Sequence, residues 1–330
     1  MDIRTKLKIE QAPDKIGVKS SIVTIGSCFA QNICQALSSD KLKVYHNPFG
    51  TKYNPVSISQ LLNASINNLK LDESLFIIRD SRTVHYQYHS DFNEQDSEAL
   101  QNLYVRYNNA LRSQLVNGNV LIITLGTSSV FKHIQHDCIV ANCHKQPSEQ
   151  FERSMLTIDQ IKETLIACFN SLFLLNNSIR VILTVSPVRH VRDTLVKNSL
   201  SKARLISACH DLSSLYDRIE YFPSYEIMVD DLRDYRYYKK DLIHPSEIAL
   251  EYIYDMFQQR HFGDELSSIL AEVRKIKRGI EHRPFNAHSD AYIRFISDLL
   301  EKCDFLEKTT DLDFNEEKVQ LRQRLTDLNA

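Results

Sequence analysis

The sequence lacks the features that mark several classes of protein. No stretch approaches the roughly 18 apolar residues that a membrane-spanning helix requires. The first residues contain no apolar segment of the kind that signal peptides carry. There is no long basic run, and the formal net charge is −2. We therefore expect a cytoplasmic protein whose main partner is neither a membrane nor a nucleic acid.

Signatures of disulfides and metal sites are also missing. The chain has seven cysteines, an odd number, and no two of them form a CxxC pair. This pattern predicts reduced thiols and argues against a disulfide framework or a structural zinc. His85, His89, His144 and His190 are far apart and lack the HxH or HExxH spacing of metal ligands. We expect no metal and no cofactor.

Tryptophan is absent, but 15 Tyr and 15 Phe can anchor a core. The chain of 330 residues, 43% apolar and 25% charged, is typical of a globular protein with one large domain or two smaller ones. Apolar, β-branched runs alternate with segments of helical periodicity. This alternation predicts right-handed βαβ units, and hence an α/β fold with helices on both faces of a parallel sheet. The predicted strands lie at about residues 21–25, 43–46, 120–125, 180–185 and 219–222.

Three other stretches do not fit the simple alternation. Residues 70–95 predict a hairpin arm or an excursion over the ligand-binding edge, and residues 130–150 predict a loop or a small hairpin. Residues 263–330 combine dense, mixed charges with apolar residues at helical spacing. We expect a main domain over 1–262 and a helical extension over 263–330. The extension would pack on the main domain or on a second subunit, as in a homo-oligomer.

The residues around Ser27 predict the end of a strand, a tight turn and the start of a helix. Gly26 allows the turn, and Ser27 then lies where backbone N–H groups and the helix dipole favour negative charge. A serine there can be a nucleophile or an N-cap. Cys28 is the stronger intrinsic nucleophile, but consecutive residues at a helix start point about 100° apart. We expect Ser27 to face the ligand and Cys28 to be buried against the sheet.

Several short segments follow predicted strands directly. In parallel sheets the carboxyl ends of the strands lie at one edge, and ligands bind outside that edge. The segments should therefore converge there, which strengthens the interpretation of Ser27 as more than a cap. They are residues 26–27, 47–50, 126–127 and 186–187.

Asp241 and His244 supply the other two groups that a serine nucleophile needs. A carboxylate three residues before a histidine can accept a hydrogen bond from the ring nitrogen that faces away from the serine, and so orient the base. Pro245 stops a helix from running through this loop. The alternative is that Asp241 caps a local turn and that His244 is an ordinary exposed histidine.

The sequence Gly26-Ser27-Cys28-Phe29-Ala30 matches the signature after which the GSCFA-domain family is named. That family is similar to the SGNH/GDSL hydrolases, which have a three-layer α/β/α, flavodoxin-like fold with a five-stranded parallel sheet. The resemblance implies Ser27 as the nucleophile, His244 as the general base and Asp241 as the residue that orients the base. Other stretches that resemble the family, within about residues 20–250, are 47–50, 124–127, 142–145, 184–190, 222–226 and 241–246.

The same resemblance implies an oxyanion hole. In SGNH enzymes the donors are the N–H of the nucleophile, a glycine N–H from the second motif and an asparagine side chain from the third. Ser27 and Gly50 fit the first two roles. The third motif here is Gly126-Thr127, where the superfamily has Gly-x-Asn. Either Thr127 or Asn142, from the neighbouring loop, would supply the third donor.

We therefore expect a serine-dependent ester hydrolase or O-acyltransferase that forms an acyl-enzyme on a small-molecule or carbohydrate ester. Arg189 and His190 are candidates for binding an anionic part of the substrate, or have a plain surface role. Tyr238 would line a sugar or acyl pocket, or pack a loop onto the core, and Asn47 is a further substrate-binding candidate. The alternative is a non-catalytic ligand-binding protein on the same fold, which the departure at Thr127 leaves open.

Overall fold

A five-stranded parallel sheet forms the centre of the fold. The computed structural model describes residues 5–329, and its strands are numbered along the whole chain. The sheet order is β11-β10-β6-β1-β2. All six residues of β6 are buried, as expected for a central parallel strand that is covered on both faces. The strands are β1 (Ser21–Gly26), β2 (Lys43–His46), β6 (Val120–Leu125), β10 (Arg180–Val185) and β11 (Ile219–Phe222).

Helices alternate with these strands, which confirms the predicted α/β fold class. The apolar faces of the four long helices between residues 55 and 215 are buried in one large core that also contains residues of the central strands. Asn54 caps the second helix, because its Oδ1 accepts a hydrogen bond from Ser57 N at 2.8 Å. The helices are α1 (Cys28–Ser39), α2 (Pro55–Ile66), α3 (Ser97–Asn117), α4 (Ile158–Leu175), α5 (Thr194–Leu215), a single turn α6 (Ser224–Glu226) and α7 (Glu247–His261).

Two small antiparallel sheets interrupt the alternation. The first has the order β3-β4-β5 and the second has the order β8-β7-β9. The second sheet follows β6 directly and precedes α4. The expected hairpin within 130–150 is therefore part of a larger, three-stranded sheet. The strands are β3 (Phe76–Arg79), β4 (Arg82–His85), β5 (Asn93–Glu94), β7 (Ser129–His133), β8 (Cys138–Val140) and β9 (Phe151–Met155).

The chain divides into two compact units. The first consists mainly of Ser21–Gln35 and Val44–Met256 and contains the central sheet. The second combines Ile9–Ser20 and Ala36–Lys43 with the chain from Phe257 onward. The division predicted at 262/263 stays a prediction, but the helical character of that region is present. Its helices are α8 (Asp264–Glu281), α9 (Asp290–Thr310) and α10 (Asn315–Asn329).

Ion pairs join the separate segments of the second unit. Lys41 Nζ lies 2.7 Å from Glu317 Oε2, and both side chains are mostly buried. Arg274 donates to Asp40 Oδ2 at 3.3 Å. The second unit therefore consists of the C-terminal helices together with two segments from the first part of the chain. Within residues 5–329, no helix has the length and apolar character needed to cross a membrane.

Candidate active site

The turn between β1 and α1 places Ser27 and Cys28 in different environments. Gly26 has a φ of +141°, and a Cβ atom there would lie 2.2 Å from Thr124 O. The turn therefore presses against β6 in a way that only glycine allows. Ser27 continues the pairing with β6, since its N–H donates to Thr124 O at 3.0 Å. Its side chain consequently points into the interior, and the residue is 1% exposed.

Cys28 is the residue of this turn that reaches the candidate site. It is the first residue of α1, is partly exposed and lines a cavity of about 640 Å³. Ser27 does not line this cavity. The prediction that Cys28 is the buried residue of the pair is therefore wrong. Ser27 still pairs with β6 and α1 begins at Cys28, so the side chain of Cys28 is the one that lines the cavity.

His244 lines the same cavity and pairs with Asp241, as the spacing predicted. Its Nδ1 lies 2.7 Å from Asp241 Oδ2. Asp241 Oδ1 also accepts hydrogen bonds from the N–H groups of Ile243 and His244, at 2.9 and 3.0 Å. The hydrogen bond from the imidazole, followed by those from the backbone, holds the pKa of the Asp241 carboxyl well below its usual range. An Nδ1–H that donates to this carboxylate leaves Nε2 as the proton acceptor.

Backbone hydrogen bonds fix the loop that carries this pair. Lys239 N donates to His244 O at 2.7 Å, and Ser246 N donates to Tyr237 O at 2.7 Å. Arg189 N donates to Ile243 O at 3.2 Å, which ties the loop to the segment that follows β10. The general base candidate therefore lies at the carboxyl edge of the sheet.

Two of the predicted oxyanion donors, the N–H groups of Ser27 and Gly50, have other partners. The N–H of Ser27 donates to Thr124 O, as described above. Gly50 N donates to Asn47 O at 2.9 Å. Its φ is +75°, and a Cβ atom there would lie 2.4 Å from the Cβ of His89. Gly50 therefore serves a tight turn in this conformation.

Thr127 and Asn142 both line the cavity, but their donors differ in availability. Thr127 N donates to Tyr53 O at 3.0 Å, and its hydroxyl lies 3.1 Å from Ser201 Oγ. Asn142 uses one amide hydrogen on Ser90 Oγ at 3.1 Å. An amide nitrogen carries two hydrogens, so Asn142 keeps one donor for a ligand.

The four substrate-binding candidates separate into two pairs. Arg189 and His190 line the cavity. Asn47 does not, because its amide is used on both polar groups of Gly26, at 2.9 and 3.1 Å. Tyr238 lies outside the cavity, 8% exposed, with the Arg189 guanidinium 3.9 Å from its ring centre. Of these candidates, the structure brings Arg189 and His190 together with His244.

Cationic side chains give the cavity its charge. Arg153 and Arg192 line it together with Arg189, and none of the described residues that line it is an aspartate or a glutamate. Arg153 belongs to β9, a strand that sequence periodicity did not reveal. Arg192 lies close to Arg189 in the segment after β10, so the reasoning that identified Arg189 from the sequence could also have identified Arg192. The cavity suits an anionic ligand.

Lys202 lies buried near the carboxyl ends of β6 and β10. Its side chain, 1% exposed, donates to Gly126 O and to Ser186 O, both at 2.6 Å. Burial lowers its pKa from 10.5 to about 7. Burial also raises the pKa of the Cys28 thiol. The N–H of Cys28, the positive charge of Lys202 and the N–H of Phe29 oppose that rise.

Replacing Lys202 should change how stability depends on pH. Between pH 7 and pH 10.5, the unfolded chain binds a proton at Lys202 that the folded chain lacks, so the lysine makes the wild type more stable as pH rises. Relative to Lys202→Met, the unfolding free energy of the wild type should therefore increase from pH 7 to 9, by at most about 1.4 kcal/mol per pH unit. Urea unfolding followed by circular dichroism would measure this.

Lys197→Met, at an exposed position of α5, controls for the loss of a lysine from the same helix. A difference between wild type and Lys202→Met that stays constant from pH 6 to pH 9 would contradict the prediction.

Two family models match this chain. The model described as "GSCFA family" matches residues 21–257, and "GSCFA domain protein, C-terminal domain" matches residues 273–327. The comparison with curated proteins found no match. Two solved structures are similar at low TM-score. A family 3 carbohydrate esterase of Clostridium thermocellum has a TM-score of 0.36 at 9% identity, covering 76% of this chain and 97% of its own. A carbohydrate esterase family 3 protein of Talaromyces cellulolyticus has a TM-score of 0.34 at 8% identity, covering 77% and 99%.

Proposed function

Given that the chain belongs to the GSCFA family, we propose that it is an ester hydrolase or O-acyltransferase that works through an acyl-enzyme intermediate. One observation carries this proposal. A histidine oriented by a carboxylate lines the same cavity as a nucleophilic side chain at a helix N-terminus. Nucleophile, base and orienting group are the components that acyl transfer requires.

The geometry of the Asp241–His244 pair supports the roles that we propose for these two residues. His244 Nε2 takes the proton of the nucleophile as it attacks the ester carbonyl, and returns it to the departing alcohol. Asp241 stabilises the imidazolium that forms in between. Water then releases the acyl group in hydrolysis, and a second alcohol accepts it in transfer. Ser27, the nucleophile predicted from the sequence, and its neighbour Cys28 are the two side chains that could supply the attacking atom.

The substrate is a small-molecule or carbohydrate ester that carries an anionic group. Three arginines among the lining residues of the cavity, and no carboxylate among those described, support this class. The guanidinium group matches the geometry of carboxylate and phosphate oxygens. Phe131 and Val140 supply apolar wall, against which an acyl chain or a sugar face can pack.

Arg189→Gln should weaken the binding of an anionic ester. A hydrogen bond to a charged group is worth about 1.5–3 kcal/mol, so KM for a 4-nitrophenyl ester with a free carboxylate should rise about tenfold or more. KM for uncharged 4-nitrophenyl acetate should change less than about twofold. Arg218→Gln is the control, since that guanidinium lies 4.2 Å from the Phe173 ring, away from the cavity. An equal rise in KM for both esters would count against an anion site.

A non-catalytic binding protein is the second candidate function. The observation that favours it is the state of the predicted oxyanion donors: the N–H groups of Ser27, Gly50 and Thr127 all donate to carbonyl oxygens. In that case the cavity would hold an anionic ligand without turning it over.

The test of the proposed function is a panel of 4-nitrophenyl esters with neutral and anionic acyl groups. We expect release of 4-nitrophenol that saturates with ester concentration, and a covalent acyl adduct on the intact protein by mass spectrometry. Saturable binding of an anionic ester, without product and without adduct, would instead support the binding protein.

A further inference from the structure

We propose that Cys28, and not Ser27, is the nucleophile of this site, and that the acyl-enzyme is a thioester. This inference rests on the proposed function and specifies the atom that carries the acyl group. The proposed nucleophile is the thiol of Cys28, which lines the same cavity as His244. The hydrogen bond between His244 Nδ1 and Asp241 leaves Nε2 of that imidazole as the proton acceptor.

Access to the cavity separates the two side chains. Cys28 and His244 both line the cavity, and Ser27 does not. The Oγ atom of Ser27 is fully buried and has no hydrogen-bond partner within residues 5–329. A nucleophile must reach both its base and the carbonyl carbon. Ser27 meets neither requirement in this conformation, because its place in the β1–β6 pairing holds its side chain in the interior.

The backbone N–H groups at the start of α1 favour the same assignment. The N–H of Ser27 donates to Thr124 O, but no backbone carbonyl in the described chain accepts the N–H of Cys28. When a substrate carbonyl is attacked by the Cys28 sulfur, its oxygen develops negative charge close to this N–H, which can turn from the sulfur to the oxygen. The remaining amide hydrogen of Asn142, on the cavity wall, can be a second donor.

Cys143 is the obvious rival, because it also lines the cavity. It lies in the loop after β8, and burial raises its pKa to about 11. At Cys28, burial has the same tendency, but two N–H groups and, below about pH 7, the charge of Lys202 counteract it. Thiolate formation is therefore better supported at Cys28, since helix N-termini and nearby cations stabilise thiolates.

The reaction balances with groups that this chain supplies. His244 Nε2 removes the Cys28 thiol proton, and the sulfur attacks the ester carbonyl to form a C–S bond. The C–O bond to the alcohol breaks, and the alcohol leaves with the proton from His244. A water or an acceptor hydroxyl, deprotonated by His244, then attacks the thioester. The C–S bond breaks, and the Cys28 sulfur recovers its proton.

Thiol reactivity tests the inference without requiring turnover. The full-length protein would be treated with iodoacetamide, and the labelled peptides would be quantified by mass spectrometry between pH 6 and pH 9. Cys28 should react at least about tenfold faster than Cys143 and than Cys34 of the same helix. His244→Gln should slow Cys28 labelling about fivefold or more and leave Cys143 unchanged. Equal rates at Cys28 and Cys143, or no effect of His244→Gln, would overturn the inference.

The position of the acyl adduct tests it directly. With 4-nitrophenyl acetate, Cys28→Ala should lose about 10³-fold or more of the activity, while Ser27→Ala, with a matched loss of one small polar atom, should stay within about fivefold. The wild-type adduct should map to Cys28 and be released by neutral hydroxylamine. An adduct on Ser27 would overturn the inference and leave the proposed function standing. No adduct and no turnover, together with His244-dependent labelling of Cys28, would refute the ester chemistry and retain the activated thiol.

Discussion

His244→Gln should lower kcat/KM for ester hydrolysis by about 10²–10⁴-fold, the range that a general acid–base typically contributes. Glutamine keeps a polar side chain of similar reach but cannot take the proton of the nucleophile. The side chain is 42% exposed, and its replacement at such a surface position should leave the unfolding free energy within about 0.5 kcal/mol. The loss would therefore be one of chemistry and not of folding.

His89→Gln is the matched control for this variant. His89 also lines the cavity and also has a carboxylate nearby, with Asp91 Oδ2 3.1 Å from its Nδ1. Its Nδ1, however, also lies 3.3 Å from Asp91 N, so a donor and a carboxylate compete for this atom, and Nε2 is not fixed as the proton acceptor as it is in His244. Steady-state kinetics should show a change of less than about threefold for His89→Gln. A larger loss for His89→Gln than for His244→Gln would assign the base to His89.

Gly26→Ala should destabilise the protein by about 3–5 kcal/mol, which is among the largest effects of a single substitution. Two costs combine at this residue. Alanine rarely adopts a φ of +141°, and its Cβ would lie 2.2 Å from Thr124 O, a backbone atom of the central strand β6. Relief requires β1 and β6 to separate, and this would break the pairing that holds the start of α1.

The measurement is urea unfolding followed by far-UV circular dichroism, since the chain has no tryptophan to report by fluorescence. Gly17→Ala is the control, because a Cβ there meets nothing closer than Ser20 Oγ at 4.0 Å. That variant should stay within about 1 kcal/mol of the wild type. Similar midpoints for Gly26→Ala and the wild type would show that the turn can relax.

The central strands were predictable because their signal is local. Buried β-branched runs end in glycine or proline at β6 and β10, and these bounds agree with the structure. The short antiparallel strands carry no such signal. β9, with the sequence Phe-Glu-Arg-Ser-Met, is defined by its pairing with β7, which is a long-range property. The contributions of Ile9–Ser20 and Ala36–Lys43 to the second unit depend on tertiary packing for the same reason.

The same difference between local and long-range signals decides which parts of the candidate site could be predicted from the sequence. The pairing of Asp241 with His244 depends on a spacing of three residues, so the sequence contains it. The orientation of Ser27 and Cys28 depends on the residue at which β1 pairing stops and α1 begins. Helical periodicity gives the angle between the two side chains, but it does not say at which residue the helix begins and therefore which side chain faces the cavity. Arg153 was missed because the register of β7 and β9 alone brings it to the cavity.

The sheet β8-β7-β9 has a consequence for how this fold can diverge. It supplies Phe131, Val140 and Arg153 to the cavity wall, yet Cys28 and His244 come from segments far away in the chain. Under the proposed function, substitutions at these three wall residues would therefore alter which ester is accepted while the proposed reacting groups stay in place. The selectivity set by the cavity wall and the reactivity of Cys28 and His244 would then evolve at separate rates.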